Sequence, residues 1–159
     1  VSGAGARFLS GYNSAVGGSK YKTILQNWES EMGTEVTKGV KVTISTDYLS
    51  EYSSPMQHHY VFAYNVTIEN LSDFSIQLER RHWFIYDSNG QVREVEGEGV
   101  VGQKPILEPG QQHSYVSGCN LKTSLGKMGG TYSMRKLVND YSFEVIIPEF
   151  TLMAPYRQN

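Results

Sequence analysis

Hydrophobic and polar residues alternate along most of the chain after residue 36, and this alternation is typical of half-buried β-strands. The segment VKVTIS at 40–45 places valine and isoleucine on one face and lysine, threonine and serine on the other. A longer strand follows at 60–69, where YVFAYNVTIE is dense in β-branched and aromatic residues. The same criteria predict strands at 76–87, 91–96, 113–118, 131–138 and 141–147, with a closing strand at 150–154.

Turn residues separate these segments at short and regular intervals. Asn89-Gly90 predicts a type I′ hairpin, because both residues tolerate positive φ angles. Pro109-Gly110 and Asn139-Asp140 indicate two further tight turns. Seven or eight short strands without a long helix predict an antiparallel β-sandwich or barrel, and they make βαβ units improbable.

The first 31 residues differ from the rest of the chain in composition and in hydrophobic pattern. Residues 1–20 are rich in glycine, serine and alanine, as expected for a flexible extension. The segment YKTILQNWESE at 21–31 has one apolar face and predicts a short helix. Met32 follows, and it is a candidate start for a smaller protein, in which case residues 1–31 are a fusion or an upstream extension. We therefore expect one domain over residues 32–159.

Composition narrows the class of protein. The 159 residues carry 14 basic and 16 acidic side chains, a formal net charge of -2. This balance disfavours sequence-independent nucleic-acid binding, which requires a basic surface. The single cysteine, Cys119, cannot form an internal disulfide, so a cytoplasmic location is the default expectation. Because no apolar run has the length of a membrane helix, we expect no membrane association.

Gly97, Gly99 and Gly102 fit the G-x-G-x-x-G spacing of dinucleotide-binding loops. That motif works between a parallel strand and a helix whose N-terminus receives the pyrophosphate. Here Pro105 and Pro109 leave no room for a helix, and strands resume downstream. The sequence therefore excludes a Rossmann arrangement.

Two interpretations of the three glycines remain. In the structural one, they permit positive φ, a bulge or a close crossing of chains. In the functional one, successive N–H groups hold an anion, and nearby cations neutralise it. The candidate anion- or nucleotide-binding residues are Gly97, Gly99, Gly102, Lys104, Arg80 and His82. Glutamates at 94, 96 and 98 oppose an anion, and the structural interpretation is favoured.

The RRHW segment at 80–83 is a basic cluster beside an aromatic residue. Strand alternation sends Arg81 and Trp83 to one face and Arg80 and His82 to the other. We expect Trp83 in the core with Arg81 near its edge. If the hairpin closes at residues 89–90, His82 lies within reach of the strand that leads into Gly97.

No complete catalytic set emerges from the sequence. Cys119 follows Ser117-Gly118 at the end of a strand, where no helix N-terminus lowers its pKa, and we interpret it as a buried, inert thiol. The adjacent His58 and His59 point apart on a strand and make a poor chelating pair. We therefore expect no enzymatic activity, no metal site and no cofactor. Tyr48, Tyr52 and Tyr60 are candidates for a partner interface.

Several ordered motifs resemble the ApaG family. They are the RHW triplet, the DSNG turn, GEGVVG, the P-x-L-x-P-G turn, Y-x-S-G-C, G-x-M-x-G-x-Y and IPEF, spread over residues 80–150. The resemblance covers about residues 34–157 and leaves the first 31 without a counterpart. It implies a fibronectin type III-like or immunoglobulin-like sandwich of seven to eight antiparallel strands.

The resemblance also implies functional expectations. Bacterial members are small stand-alone proteins, often encoded near a diadenosine tetraphosphate hydrolase and named for an association with cobalt and magnesium efflux. Eukaryotic relatives act in protein–protein contacts within F-box proteins and a polymerase-delta-interacting protein. We expect a non-enzymatic binding module with an unidentified protein partner, and self-association as a homo-oligomer stays open. The alternative is a protein that binds nucleotide, pyrophosphate or a dinucleoside polyphosphate, or a weak phosphohydrolase, acting through the GEGVVG loop.

Overall fold

In a computed structural model, which describes residues 33–155, the chain forms two antiparallel β-sheets that pack face to face. The described residues contain nine strands and no α-helix. In chain order the strands are β1 Gly33–Thr37, β2 Val40–Tyr48, β3 Tyr60–Asn70, β4 Ile76–Asp87, β5 Val92–Glu98, β6 Ile106–Leu107, β7 Gln112–Leu121, β8 Leu125–Lys136 and β9 Ser142–Met153.

The first sheet has the strand order β1-β2-β3-β7, and the second has the order β5-β4-β8-β9, with the short β6 paired to β4. Every pairing is antiparallel. Two short 3-10 turns, Ser50–Tyr52 and Pro55–Gln57, connect β2 to β3. The predicted antiparallel β-sandwich is confirmed. The predicted extension at 1–31, including the short helix at 21–31, lies outside the described residues.

Alternating residues of both sheets fill the core. Val40, Val42 and Ile44 of β2 are fully buried, as their alternation predicts. Trp83 of β4 is buried at the centre, and its ring centroid lies 5.3 Å from that of Tyr64 on the opposite sheet. Tilted and edge-on aromatic contacts of this kind add to the stabilisation that comes from burial.

The turn chemistry differs from the prediction at one hairpin. Asn89 does not have a positive φ, so the β4–β5 hairpin is not type I′. Instead the Gly90 N–H donates to the Asp87 carbonyl, Asp87 pairs with Gln91, and Gly90 takes a φ of 90°. This is a three-residue loop that ends in a left-handed glycine. Two consecutive positive φ angles occur instead at Lys38 and Gly39, between β1 and β2.

The predicted break at Pro148 is also wrong, because residues 142–153 form one strand, β9. The register between β8 and β9 shifts between Met128 and Gly130, where a bulge accommodates the proline. Since β9 is the last strand of its sheet, a missing N–H at Pro148 is tolerated there. Strand β8 begins earlier than predicted, at Leu125, and Gly130 lies so close to β4 that a Cβ would be 1.9 Å from the His82 carbonyl oxygen.

Three connections meet at one end of the sandwich, which we call the loop end: residues 38–39, 71–75 and 137–141. The Leu71 N–H donates to the Gly39 carbonyl at 2.8 Å. The Leu137 N–H donates to the Ser75 carbonyl at 3.0 Å. These hydrogen bonds fasten the middle connection to the two others.

Asn70 fixes the start of the middle connection. Its side chain is fully buried, and its amide donates to the carbonyls of Phe74 (2.7 Å) and Leu107 (2.9 Å). Its Oδ1 accepts hydrogen bonds from the backbone N–H and the hydroxyl of Ser72. A buried amide with every hydrogen bond satisfied specifies one loop conformation.

Candidate functional site

The three glycines of GEGVVG have three different structural roles. Gly97 is part of β5, paired with Arg81 of β4. Gly99 has a φ of 62°, and a Cβ there would lie 2.2 Å from the Gln103 carbonyl oxygen. Gly102 has a φ of 73° and open space around it. Gly99 and Gly102 therefore take backbone conformations that glycine adopts most easily, as the structural interpretation expects.

Much of the loop backbone already makes internal hydrogen bonds. The Gly99 N–H donates to the Glu79 carbonyl at 2.8 Å. Val100 and Gln103 exchange two hydrogen bonds, with N···O distances of 2.8 and 3.0 Å. Val101 and Gly102 stand between them, both with positive φ, in a tight two-residue turn. Three N–H groups of the loop therefore already donate hydrogen bonds within the chain.

Gly97 makes room for Arg81. A Cβ on Gly97 would lie 2.8 Å from Nη2 of that guanidinium. The Arg81 Nη1 donates to the carbonyls of Glu98 (2.9 Å) and Gly99 (3.0 Å). Arg81 thus ties the inner face of β4 to the beginning of the glycine loop.

The two cations proposed to neutralise an anion are both paired with carboxylates. Lys104 Nζ lies 3.4 Å from Glu98 and 3.7 Å from Glu79, and Arg80 Nη1 lies 3.8 Å from Glu98. Glu79 also accepts from Arg135 at 3.0 Å. An incoming phosphate would compete with these carboxylates.

His82 lies on the outer face of β4, as strand alternation predicts, and its partner across the strand pair is Glu96 of β5. Its Nε2 is 2.5 Å from Glu94, and its Nδ1 is 3.1 Å from Glu96. Both contacts are hydrogen bonds only when both ring nitrogens carry protons. One ligand atom from each of these three side chains lies within 4.8 Å of the others, so they are also the described residues that could hold a divalent ion.

The loop end carries an exposed apolar surface. Its exposed fractions are 53% for Leu71, 44% for Phe74, 73% for Val138 and 49% for Tyr141. We call these four residues together with Lys38 and Lys136 the loop-end surface. Because the two connections that carry the four apolar residues, 71–75 and 137–141, hydrogen-bond to each other, these side chains lie together at one end of the sandwich.

Lysines and aromatic rings alternate across this surface. The Lys136 Nζ lies 4.4 Å from the ring centroid of Phe74 and 5.6 Å from that of Tyr141. The Lys38 Nζ lies 5.6 Å from the Tyr141 centroid and 5.9 Å from that of Phe143. Each ammonium is therefore held by cation–π contacts to two rings.

Comparison with known proteins agrees with this architecture. The family model for the ApaG domain matches residues 50–136, which include the glycine loop and the middle connection of the loop end. Protein ApaG of Brucella canis is 47% identical over 127 residues, which are 80% of this chain and 97% of the relative.

The chain belongs to the ApaG domain family. Protein ApaG of Methylobacterium radiotolerans is 45% identical over 120 residues, which are 76% of this chain and 92% of the relative. Among solved structures, an ApaA protein of Bordetella pertussis is 45% identical, covers 74% of this chain and 95% of its own, and superposes with a TM-score of 0.71. The resemblance drawn from the motifs is confirmed.

The interior of this ApaG domain contains a tyrosine cluster beside Arg81. Tyr115 and Tyr132 share a hydroxyl–hydroxyl hydrogen bond. Burial raises the pKa of Tyr64 to about 12 and raises the pKa of Tyr115 and Tyr132 above the ordinary value. These hydroxyls are therefore protonated at neutral pH.

Cys119 fits the interpretation of an inert thiol. Burial raises its pKa to about 11, although the guanidinium of Arg93, at 3.7 Å from Sγ, acts in the opposite direction. At neutral pH this side chain is a thiol rather than the nucleophilic thiolate.

The sequence did not identify the loop-end surface. Its residues are separated by as much as 103 positions, between Lys38 and Tyr141, and meet only when the two sheets pack. Tyr48 and Tyr60, two of the predicted interface tyrosines, instead pack against the core. Val138, directly before the Asn139-Asp140 turn, was a usable sequence signal. Turns lie at the surface, so an apolar residue beside one is a candidate exposed residue, and Val138 is indeed exposed.

Proposed function

We propose that this ApaG-family chain is a non-enzymatic binding module that contacts a protein partner through the loop-end surface. The observation that carries this proposal is the cluster of four exposed apolar side chains, held in place by hydrogen bonds among three connections. Exposed apolar patches rimmed by polar residues are typical of protein interaction sites. Rigid connections reduce the entropy that is lost on binding.

The local structure of the patch supports this function. Asn70 fixes the connection that carries Leu71 and Phe74, and the Asn139-Asp140 turn places Val138 and Tyr141 beside it. Tyrosine and phenylalanine offer large contact areas with few rotatable bonds, which is why aromatic residues are enriched at interfaces.

The glycine loop gives less support to the alternative of nucleotide, pyrophosphate or dinucleoside polyphosphate binding. The N–H groups of Gly99 and Val100 are used inside the chain, and Lys104 and Arg80 are paired with carboxylates. That alternative stays a prediction, as do a cytoplasmic location, self-association and the family link to cobalt and magnesium efflux. No helix within residues 33–155 has the length and hydropathy needed to cross a membrane.

Site-specific photo-crosslinking tests the proposal. A benzoylphenylalanine at position 138, expressed in the native host, should give one discrete crosslinked product. The captured protein, once identified by mass spectrometry and purified, should bind the wild-type chain in calorimetry. It should lose at least about tenfold in affinity for the Phe74→Ala, Tyr141→Ala variant, because truncating two aromatic contacts removes typical hot-spot energy.

The matched control is a crosslinker at position 56. Met56 is 95% exposed and lies on the 3-10 turn Pro55–Gln57, between β2 and β3 at the other end of the sandwich. A product of equal yield from position 56, or unchanged affinity of the double variant, would overturn the assignment of the loop end.

A further inference from the structure

We infer that the loop-end surface binds an acidic segment of its partner, with carboxylates on Lys38 and Lys136 and an apolar side chain against Phe74 and Tyr141. This inference rests on the proposed function and adds the chemistry of the partner. It is carried by the charge state of the two lysines and by their placement over aromatic rings.

Within the described residues, Lys38 and Lys136 differ from Lys104 and Lys127 because they have no carboxylate partner. Among residues 33–155, neither forms an ion pair with a carboxylate. In contrast, Lys104 pairs with Glu98, and Lys127 pairs with Glu149 at 3.4 Å. The loop-end lysines thus present ammonium groups without a direct carboxylate partner beside apolar surface, which suits a partner that supplies carboxylates.

The other charged groups at the loop end do not form ion pairs with these two lysines. Asp140 is neutralised by Arg135, whose Nη1 lies 2.6 Å away. Asp73 is exposed on the middle connection, so it offsets one of the two lysine charges. Glu108, which accepts a hydrogen bond from the Ser75 hydroxyl, adds a second carboxylate at this end, but no carboxylate of residues 33–155 lies within 4.0 Å of either lysine ammonium.

The rings orient the lysine ammonium groups. Each Nζ lies between 4.4 and 5.9 Å from the centroids of two rings. A cation held on a ring loses less side-chain freedom when a carboxylate arrives. The aliphatic part of each lysine and the exposed edges of Phe74 and Tyr141 then form an apolar contact surface between the two ammonium groups.

A protein segment fits this surface better than a nucleic acid. Two lysines offer few phosphate contacts, and the acidic balance of the chain disfavours a polyanionic backbone. Leu71 and Val138 are aliphatic, and they suit an aliphatic or aromatic side chain of a peptide more than the stacking of bases.

The test is an NMR titration of the isotope-labelled chain with a synthetic twelve-residue peptide that alternates glutamate with leucine and phenylalanine. The expected result is a set of amide shifts confined to residues 38–39, 71–75 and 136–141. Replacing every glutamate of the peptide by glutamine, or using the variant Lys38→Gln, Lys136→Gln, should each weaken binding about tenfold. The variant Lys38→Arg, Lys136→Arg should retain binding.

Lys127→Gln is the matched control variant. Lys127 also lies over an aromatic ring, 5.0 Å from the Tyr86 centroid, but Glu149 already neutralises it. Its replacement should leave the peptide affinity unchanged. A thermal melt of each variant verifies that the fold is retained.

Three outcomes would overturn the inference: equal affinity for the glutamate and glutamine peptides, no shifts at the loop end, or tighter binding of a twelve-nucleotide oligo-dT under the same salt. These failures are distinct from a failure of the proposed function. If photo-crosslinking at position 138 still yields a partner whose binding ignores both lysines, the binding module stands and its partner is not acidic.

Discussion

The guanidinium of Arg81 occupies the space that a side chain at position 97 would need. An ideal Cβ on Gly97 would lie 2.8 to 2.9 Å from three atoms of that guanidinium. The same group donates to the carbonyls of Glu98 and Gly99, so it also holds the beginning of the glycine loop. The first glycine of the motif therefore has a packing role that requires no ligand.

This relationship predicts an energetic coupling between the two residues. Gly97→Ala should lower the free energy of unfolding by about 1–3 kcal/mol, because the added methyl group displaces Arg81. In an Arg81→Ala background the same change should cost less than about 0.5 kcal/mol, since the obstructing atoms are gone. Urea denaturation of the four proteins gives the coupling energy.

Gly102→Ala provides the control. A Cβ at Gly102 meets no atom within 4 Å, so its cost of about 1–2 kcal/mol arises from the positive φ alone. That cost should be the same with Arg81 present or absent. Additive effects of Gly97→Ala and Arg81→Ala would contradict the packing role of Gly97.

The sequence predicted most of the fold because the fold depends on local alternation. Residues 40–45 alternate with a period of two, residues 60–69 and 76–87 are rich in β-branched and aromatic residues, and all three form strands. The errors lie where tertiary contacts decide. At Asn89-Gly90 the loop length, rather than the favourable dipeptide, sets the turn, and at Pro148 a bulge on an edge strand absorbs the proline.

The candidate site could be predicted only in part. Strand alternation and the position of the hairpin bring His82 near the strand that leads into Gly97, but the three-residue loop moves the register by one residue, so that His82 lies opposite Glu96 and Arg81 opposite Gly97. The pairing of Lys104 with Glu79 does not follow, because it depends on how the loop folds back over β4. The contact between Lys38 and Tyr141 joins two turns that lie far apart in the sequence.

The hydrogen bonds of the glycine loop predict how it responds to pyrophosphate. In an NMR titration with millimolar pyrophosphate, the amide signals of Gly99 and Val100 should not move, because both N–H groups already donate within the chain. The variant Glu98→Gln frees Lys104 and Arg80 from one carboxylate, and it should be the more responsive protein. Saturable shifts of the Gly99 and Val100 amides in the wild type would instead favour the nucleotide alternative.

Asn70 controls the rigidity of the loop end. Asn70→Ala removes the buried amide that donates to the carbonyls of Phe74 and Leu107, and it should lower the free energy of unfolding by about 3 kcal/mol. Hydrogen exchange of residues 71–75 should rise more than the global change requires.

The control for this prediction is an asparagine in an exposed turn. Asn139→Ala loses one exposed hydrogen bond, from the Tyr141 N–H to its Oδ1 at 3.1 Å, and should cost only about 1 kcal/mol. Equal costs at the two asparagines would show that the buried amide does not hold the middle connection.

The buried tyrosines predict how stability depends on alkaline pH. Tyr64 has a pKa of about 12, and burial raises the pKa of Tyr115 and Tyr132 as well, whereas a tyrosine in the unfolded chain titrates near about 10. Below the unfolded pKa these groups are protonated in both states, and their full contribution to stability is present. As pH rises toward the folded pKa values, only the unfolded chain releases protons, so stability falls.

Each such tyrosine should contribute a loss of about 1.4 kcal/mol per pH unit above pH 10. Urea denaturation at pH 9, 10 and 11 measures this slope, and Tyr132→Phe should remove about one third of the share contributed by the three tyrosines. Its effect on the slope is separate from the constant loss of the hydrogen bond to Tyr115. A wild-type slope in Tyr132→Phe would mean that this hydroxyl titrates as freely in the folded protein as in the unfolded chain.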